Sequence, residues 1–461
     1  MEGLQAAEYV SGLMERARAA QQIIENYTQE QIDELVTALA WAGVEPGNAE
    51  KISTKAVEET KLGYYDAKYS KLQKKIRGAL RDIKHMKTVG VIEEDKARGL
   101  VKIAKPVGVI GAIVPCTNPE ATPFIKAMFA IKARNAVVFS PHPRSKETNK
   151  LIVDIMHDVF RKYGAPEDLV LTVEQVSIEI SNEVMKQCDL VVATGGKPMV
   201  KAAYSSGKPA YGVGVGNAVI VVDDTADISD AAHKIKLSKT FDYATSCSAE
   251  NSLVIHESVY DQLLTALQGE GGYLVNAEEK AKLQEAMFPE GHLNTKIVAQ
   301  PASTIAQLAG LKIDSDKSFF IVEETGVGKD YPFSGEKMSV VVTVFKYKEF
   351  SEAIGKVNEI TGYMGAGHSC GIHSTSDDHI LELSLKTKTS RVMVRQPQCY
   401  ANSGDWINGM PFTLTLGCGT WGGNISSENI SLKHFYNTTW VAYPIPEQIP
   451  SDEELFGDLA K

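Results

Sequence analysis

One cysteine, Cys247, lies in a stretch whose composition suits a reactive thiol. Residues 240–252 read TFDYATSCSAENS, so its neighbours are hydroxyls, an amide and Glu250, and an apolar run starts only at Leu253. A cysteine used for packing more often has apolar neighbours, because a free thiol behaves as a small hydrophobe. Only the thiolate is a good nucleophile. On these residues alone a structural role stays open, since lone cysteines are more often structural than catalytic.

The composition of the whole chain bounds the kind of protein to which this thiol belongs. The 461 residues are more than one ordinary core holds and predict two or three domains. The formal net charge of −10 argues against a nucleic-acid partner. The six cysteines form no CxxC pair and show no His/Cys metal spacing. We therefore expect reduced thiols, no metal site and a cytoplasmic protein.

Two features argue against a membrane partner and against secretion. The apolar stretch at 107–114 is far too short to span a bilayer. Residues 1–5, MEGLQ, carry neither a basic n-region nor an apolar h-region, so no signal peptide is predicted.

The order of the predicted elements indicates an α/β protein. Residues 4–85 have helical periodicity, with a capping-box pattern at Thr28, and we interpret their many Lys and Glu side chains as a solvated helical face. From residue 106 onwards strand patterns alternate with helical ones, which is typical of a doubly wound sheet. The predicted strands lie at 107–114, 135–140, 169–173, 190–193, 218–222, 340–345 and 391–394.

Polar residues and glycines collect where these predicted strands end. Ligands of doubly wound sheets bind beyond the carboxyl ends of the strands. The residues at such ends are Pro115, Asn118, Ser140, His142, Arg144, Thr194, Gly195, Gly196 and the glycine-rich stretch 212–217. No GxGxxG follows the first strand, and a lone glycine motif is weak evidence. The pattern predicts a binding edge without identifying the ligand.

Eight motifs in a fixed order make the chain similar to the aldehyde dehydrogenase superfamily, and more narrowly to its CoA-acylating branch. The motifs lie at 139–144 (FSPHPR), 193–196 (ATGG), 201–209 (KAAYSSGKP), 212–217 (GVGVGN), 238–242 (SKTFD), 335–337 (GEK), 367–368 (GH) and 416–424 (LGCGTWGGN). The resemblance covers nearly the whole chain. It implies a doubly wound cofactor-binding domain at 1–239, an α/β catalytic domain at 240–424, and a return segment with a small oligomerisation element at 425–461. It also implies a homodimer or homotetramer.

The resemblance assigns roles to four residues. Cys247 would attack the aldehyde carbonyl and, after hydride transfer to a nicotinamide, hold the acyl group as a thioester. Asn118 would stabilise the oxyanion together with the Cys247 backbone N–H, and Glu336 would hold the nicotinamide ribose. His368 is either a base that deprotonates CoA or a buried, hydrogen-bonded core histidine. Without the resemblance, Asn118 is a turn residue before Pro119 and Glu336 a surface charge.

The stretch 212–217 bears on how the acyl group leaves. Hydrolytic relatives keep a glutamate base in the corresponding motif, but GVGVGN has no carboxylate. Without a general base, water is a poor nucleophile towards a thioester, whereas a thiol is a better one. The sequence therefore predicts coenzyme A as the acyl acceptor in a reversible reaction. A hydrolytic dehydrogenase and a catalytically silent binding or structural protein are the alternatives, and the intact set of Cys247, Asn118 and Glu336 argues against the second.

The choice of nicotinamide cofactor stays open between NAD and NADP. An acidic residue at the adenosine ribose would favour NAD, but Ser140, His142 and Arg144 include no acid and one arginine. The residues expected to contact the cofactor are Pro115, Ser140, His142, Arg144, Thr194, Gly195, Gly196, Gly214 and Glu336.

Arg395 departs from relatives, which tend to carry a neutral residue there. A buried arginine should be matched by an anion, so we predict that Arg395 binds the anionic tail of a short aldehyde, such as sulfoacetaldehyde or succinate semialdehyde. Thr245, Ser246 and Ser403 could assist. The alternative is a surface salt bridge of Arg395 with Asp405 or Glu428. Acetaldehyde or propionaldehyde, the alternative substrates, would need no such residue.

Overall fold

The N-terminal part of the chain is helical. The computed structural model describes residues 3–461, so Met1 and Glu2, which belong to the stretch without signal-peptide features, lie outside it. The helices are α1 (Gly3–Ile24), α2 (Gln29–Val44), α3 (Pro46–Thr60), α4 (Tyr65–Lys71) and α5 (Arg77–Ile83). A π-helical turn, Leu72–Ile76, joins α4 to α5. The capping box predicted at Thr28 is confirmed, because its side chain accepts a bond from Gln31 N and the Gln31 side chain accepts one from Thr28 N.

A five-stranded parallel sheet follows and confirms the doubly wound architecture. Its strands are β3 (Val109–Val114), β4 (Ala136–Pro141), β5 (Val170–Thr172), β6 (Leu190–Thr194) and β7 (Ala210–Val213). They alternate with α6 (Thr122–Lys132), α7 (Lys146–Tyr163), α8 (Ile178–Gln187) and α9 (Lys197–Tyr204). The order is β5-β4-β3-β6-β7, so the chain reverses its direction of winding beside β3. Every residue of β3 is buried, as expected of an apolar run in a parallel sheet.

The second parallel sheet has seven strands. Its strands, in the order β10-β11-β12-β9-β8-β13-β14, are β8 (Ala218–Val222), β9 (Glu250–His256), β10 (Gly272–Leu274), β11 (Phe319–Glu323), β12 (Val341–Tyr347), β13 (Cys370–His373) and β14 (Val392–Val394). The helices are α10 (Ile228–Thr240), α11 (Tyr260–Gly269), α12 (Ala277–Met287), α13 (Ala302–Ala309), α14 (Phe350–Tyr363), α15 (Asp377–Lys386) and α16 (Gln398–Ala401).

The change of sheet falls earlier than the predicted domain boundary at residue 239. β8 precedes that boundary, yet it pairs with β9 and β13 of the second sheet. The chain therefore passes from one sheet to the other between Val213 and Ala218. An apolar strand pattern reports burial but not which sheet receives the strand, so the sequence could not place this passage.

A third, antiparallel sheet joins the segment before the first parallel sheet to the C-terminal part of the chain. It consists of β1 (Gly90–Asp95), β2 (Leu100–Pro106) and β15 (Tyr436–Ala442) in the order β1-β2-β15. Just before β15, Leu432 and Phe435 pack into the core of the first sheet, and α17 (Asp452–Phe456) lies near the C-terminus. Among the helices of residues 3–461, none has the length and apolarity that crossing a bilayer requires.

Candidate active site

The candidate site lies where two sheet edges meet. Asn118 follows β3 at the carboxyl edge of the first sheet, whereas Cys247 precedes β9 at the amino edge of the second. Both residues line the same pocket. His368 precedes β13, which is separated from β9 only by β8. Parallel strands begin at the same edge of a sheet, so the loops before these strands bring their residues together.

The turn before Cys247 has an unusual backbone. Asp242, Tyr243 and Ala244 have φ angles of 51°, 50° and 60°, a conformation that costs free energy in residues other than glycine. The buried Asp242 carboxylate fixes this turn. Its Oδ2 accepts hydrogen bonds from Lys68 Nζ at 2.7 Å and from Thr245 Oγ1 at 2.6 Å. Ion pairing thus holds the strained loop that presents the thiol.

Cys247 and His368 form a hydrogen-bonded pair, with 3.1 Å between Sγ and Nε2. The pKa of the Cys247 thiol is raised to about 12, mainly by burial and secondly by the nearby Glu336 carboxylate. Burial and the Arg391 charge lower the pKa of His368 to about 3. Both shifts favour a neutral thiol that donates to a neutral imidazole. His368 Nδ1 then donates to Ser369 Oγ, 2.8 Å away.

His368 meets both descriptions predicted from the sequence, a buried, hydrogen-bonded histidine and a base beside the thiol. The ring is buried and hydrogen-bonded, and it also touches the predicted nucleophile. An imidazole with its acceptor nitrogen on the thiol is placed to take the S–H proton as sulfur attacks.

Asn118 is held by a buried lysine. Its Oδ1 accepts a hydrogen bond from Lys71 Nζ at 2.6 Å, and Lys71 also contacts the carboxylates of Glu120 and Asp242. Burial alone would lower the pKa of Lys71, but the two carboxylates raise it, so the ammonium stays charged. With Oδ1 occupied by Lys71, the amide is oriented with Nδ2 as its remaining donor group.

The lysines of this helix correct a prediction. We expected the charges before residue 85 to form a solvated face, but Lys68, Lys71 and Lys75 are buried, with at most 6% of each residue exposed. Their spacing of three and four places them on one helical face. That spacing is the signal that sequence reasoning missed.

Glu336 and Gly216 complete the amino edge of the second sheet. Glu336 precedes β12 and its Oε1 accepts a hydrogen bond from Gly216 N at 3.1 Å. Burial raises the pKa of this carboxyl to about 8. Gly216 lies against the nucleophile loop so closely that a Cβ would come within 1.9 Å of the Cys247 carbonyl oxygen. Only glycine permits this approach.

The residues expected to bind the cofactor divide into two groups. Pro115, Ser140, His142 and Arg144 lie at the ends of β3 and β4, with His142 and Arg144 exposed. The Ser140 hydroxyl is buried and already engaged by Ser181 Oγ at 2.8 Å. The Arg144 guanidinium donates to the Thr60 carbonyl.

The second group lies beside an open cleft of about 740 Å³. Thr194 ends β6, and Gly195 and Gly196 lead into α9. Gly214, Lys197 and Lys201 line the cleft. Ammonium groups beside glycine backbone suit the phosphates of a dinucleotide or of coenzyme A.

Known proteins match this architecture. The sequence matches the Aldehyde dehydrogenase family over residues 4–279. The chain belongs to the aldehyde dehydrogenase family. It is 48% identical to a sulfoacetaldehyde dehydrogenase of Acholeplasma sp, over 97% of this chain and 93% of that protein. It is 44% identical to a sulfoacetaldehyde dehydrogenase (acylating) of Cupriavidus necator, over 98% and 92% of the two chains.

A solved structure agrees with these relatives. An acetylating aldehyde dehydrogenase from Geobacillus thermoglucosidasius superposes with a TM-score of 0.93 and 38% identity, covering 97% of this chain and 99% of that one. The expected aldehyde dehydrogenase fold is thereby confirmed.

The structure does not bring Arg395 to the pocket of this dehydrogenase. Arg395 is exposed and its NH1 donates to the Ser374 carbonyl at 2.7 Å. It follows β14, at the carboxyl edge of the second sheet, whereas Cys247 lies at the amino edge. The alternative ion pairs are absent as well within residues 3–461, because Asp405 pairs with Lys74 and Glu428 with Lys433 and His434. The prediction for Arg395 is therefore corrected.

The other residues predicted to bind substrate do line the pocket. Thr245, Ser246 and Ser403 all face it. The Thr245 hydroxyl is engaged by Asp242, and Ser246 Oγ lies 3.0 Å from Ser248 Oγ. Thr245 thus supports the nucleophile loop.

Proposed function

We propose that the protein is a CoA-acylating aldehyde dehydrogenase that oxidises a short anionic aldehyde with NAD or NADP. Sulfoacetaldehyde is the first candidate substrate and succinate semialdehyde the second. The 3.1 Å contact between Cys247 Sγ and His368 Nε2, in a pocket shared with Asn118, carries the proposal. The substrate named for the relatives supports the choice of aldehyde.

The first step follows from the neutral pair. As Cys247 Sγ attacks the carbonyl carbon, its proton passes to His368 Nε2. The oxygen that gains negative charge accepts hydrogen bonds from Asn118 Nδ2 and from the Cys247 backbone N–H, and Lys71 keeps the amide in place. A nicotinamide cofactor supplies the hydride acceptor.

The second step is acyl transfer. The proton that His368 took in the first step leaves to solvent, so its Nε2, 3.1 Å from Cys247 Sγ, is again an acceptor. As the sulfur of an incoming thiol attacks the thioester carbon, Nε2 passes the proton of that thiol to the departing Cys247 sulfur. Residues 212–217 offer no carboxylate to activate water. Coenzyme A is therefore the proposed acyl acceptor.

A hydrolytic dehydrogenase is the runner-up. It is favoured by Glu336, a carboxylate close enough to raise the pKa of Cys247 and itself half-protonated near pH 8. Against it, Glu336 is bonded to Gly216 N–H.

One assay separates the two functions. Each of four aldehydes (sulfoacetaldehyde, succinate semialdehyde, acetaldehyde and propionaldehyde) is mixed with NAD or NADP, with and without CoA. We expect sustained NAD(P)H formation only with CoA, and at most one equivalent per active site without it. Sustained turnover without CoA at a comparable rate would contradict acylation.

The location and assembly are further parts of the proposal. We infer a cytoplasmic homodimer or homotetramer, with the antiparallel sheet β1-β2-β15 as the oligomerisation element. Its support is the exposure of large apolar side chains on and after β15, including Trp440, Tyr443 and Ile449. Light scattering on the purified protein measures the subunit number, and a monomeric mass would overturn this part.

A further inference from the structure

The pocket beside Cys247 carries more positive charge than the reaction at sulfur needs. Lys71, Lys74 and Lys75 all line it, together with Tyr400 and Cys247 itself. Lys71 is engaged by Glu120, Asp242 and Asn118. We propose that Lys75, assisted by Lys74, forms the subsite that binds the anionic tail of the aldehyde. This inference rests on the proposed function and assigns to it the residues that select the substrate.

A π-helical turn brings these lysines to the pocket. Lys74 and Lys75 both belong to the turn Leu72–Ile76, which interrupts an otherwise continuous helix. A π turn is rare and often occurs at functional sites, because it shifts the direction of the following side chains. Here the interruption coincides with the part of the helix that lines the pocket.

Lys75 is a buried cation without an acidic partner. The residue is only 3% exposed, and among residues 3–461 no carboxylate oxygen lies within 4 Å of its Nζ. The ammonium donates to three backbone carbonyls, those of Gly404 at 2.7 Å, Tyr400 at 3.1 Å and Ser403 at 3.4 Å, and it lies 5.4 Å from the centre of the Phe412 ring.

The charge state of Lys75 therefore depends strongly on the groups around it. Burial, then the charge of Lys74, lowers the pKa of Lys75 to about 7, while the more distant Asp405 opposes the shift. A buried charge is costly unless it is paired. An anion in the pocket would supply the missing partner and replace the long contact to Ser403.

Lys74 brings a second positive charge to the same end of the pocket. Its Nζ lies 2.7 Å from Asp405 Oδ1 and 4.7 Å from the centre of the Tyr400 ring. Two ammonium groups and one carboxylate leave this end of the pocket with one net positive charge when Lys75 is protonated. The chemistry fits a short aldehyde with one terminal oxyanion, either a sulfonate or a carboxylate.

The test replaces each lysine by methionine, which removes the positive charge and keeps a similar side-chain volume. The variants Lys75→Met and Lys74→Met are assayed with sulfoacetaldehyde, succinate semialdehyde and acetaldehyde, and Arg395→Ala serves as an exposed-cation control. A charge-assisted hydrogen bond contributes about 1.5–3 kcal/mol, or about 10- to 100-fold. We expect Lys75→Met to lower kcat/KM by that factor for the anionic aldehyde that wild type prefers, and by less than about 3-fold for acetaldehyde. Lys74→Met should act in the same direction and more weakly.

A binding measurement guards against a merely structural effect. Ethanesulfonate and butyrate, which carry the two candidate anions without the aldehyde, should inhibit wild type competitively and inhibit Lys75→Met at least about 10-fold less well. The more potent inhibitor identifies the preferred anion. Equal losses of kcat/KM on acetaldehyde and on both anionic aldehydes, or unchanged inhibition constants, would overturn the subsite.

The two proposals fail separately. If wild type forms no acyl-CoA from any aldehyde, the proposed function fails. If wild type forms acyl-CoA but Lys75→Met discriminates the aldehydes as wild type does, only the subsite fails.

Discussion

The two parallel sheets contribute to the site through opposite edges. The first sheet offers the carboxyl ends of its strands, where Asn118 follows β3. The second offers the loops before its strands, where Gly216, Cys247, Glu336 and His368 precede β8, β9, β12 and β13. The usual rule for open α/β sheets, that ligands bind beyond the carboxyl ends of strands, therefore holds for the first sheet only. In the second, a residue directly after a strand, such as Arg395 after β14, should have no part in catalysis.

The largest effect should come from the amino edge of the second sheet. Cys247→Ala removes the only atom proposed to bond to the substrate carbon, so turnover should be abolished. Binding of NAD or NADP, followed by fluorescence, should persist. Cys370→Ala, which changes a buried cysteine inside β13, is the matched control and should keep most activity. If Cys247→Ala retained a tenth of the wild-type rate, another residue would have to be the nucleophile.

His368→Gln tests the second residue of that edge. Loss of a general base typically costs about 10²–10⁴-fold in rate, so kcat with CoA should fall by that factor for every aldehyde. A fall confined to anionic aldehydes would place His368 in substrate recognition instead.

The same variant has a signature in stability. The pKa of His368 is about 3 in the folded protein, well below the usual value of 6.5, because the buried ring resists protonation. The unfolded chain therefore binds a proton that the folded one refuses as the pH falls below about 6.5. The resulting stability is present above that pH and is lost progressively towards pH 3.

Urea unfolding measures this contribution. Between pH 6.5 and 4.5, the free energy of unfolding should fall less steeply in His368→Gln than in wild type. His292→Gln, at an exposed position, is the control and should follow the wild-type slope. Parallel slopes for His368→Gln and wild type would show that the ring is not kept neutral by folding.

Lys71→Met disturbs the carboxyl edge of the first sheet. It removes the support of Asn118 and leaves the buried Glu120 and Asp242 short of one cation. We expect a loss of about 10- to 100-fold in kcat with neutral and anionic aldehydes alike, and about 3–5 kcal/mol of unfolding free energy. Urea unfolding and steady-state rates measure both, with the exposed Lys84→Met as control. A selective loss on anionic aldehydes would transfer to Lys71 the role proposed for Lys75.

The difference between the two sheet edges explains which site residues could be predicted from the sequence. The strand pattern and the motifs located Asn118 and Cys247, because apolar alternation gives the order of elements and a polar loop around a thiol is visible in the sequence. The buried lysines were missed, since helical lysines are usually solvated and nothing local reveals that Asp242, far along the chain, closes over Lys68 and Lys71. For Arg395, adjacency to a strand was visible in the sequence, but the edge at which that strand ends was not.

Arg395→Ala should therefore have the smallest effect. The side chain lies at the carboxyl edge of the second sheet, exposed, with a hydrogen bond to the Ser374 carbonyl that water can replace. Surface substitutions away from buried networks usually change stability by less than about 0.5 kcal/mol, although removal of the side chain at a positive φ leaves the backbone strain unchanged. We expect kcat/KM to stay within about 2-fold of wild type for sulfoacetaldehyde, succinate semialdehyde and acetaldehyde. A selective loss on the anionic aldehydes would show that this edge reaches the substrate after all, and the division of labour between the two sheet edges would be wrong.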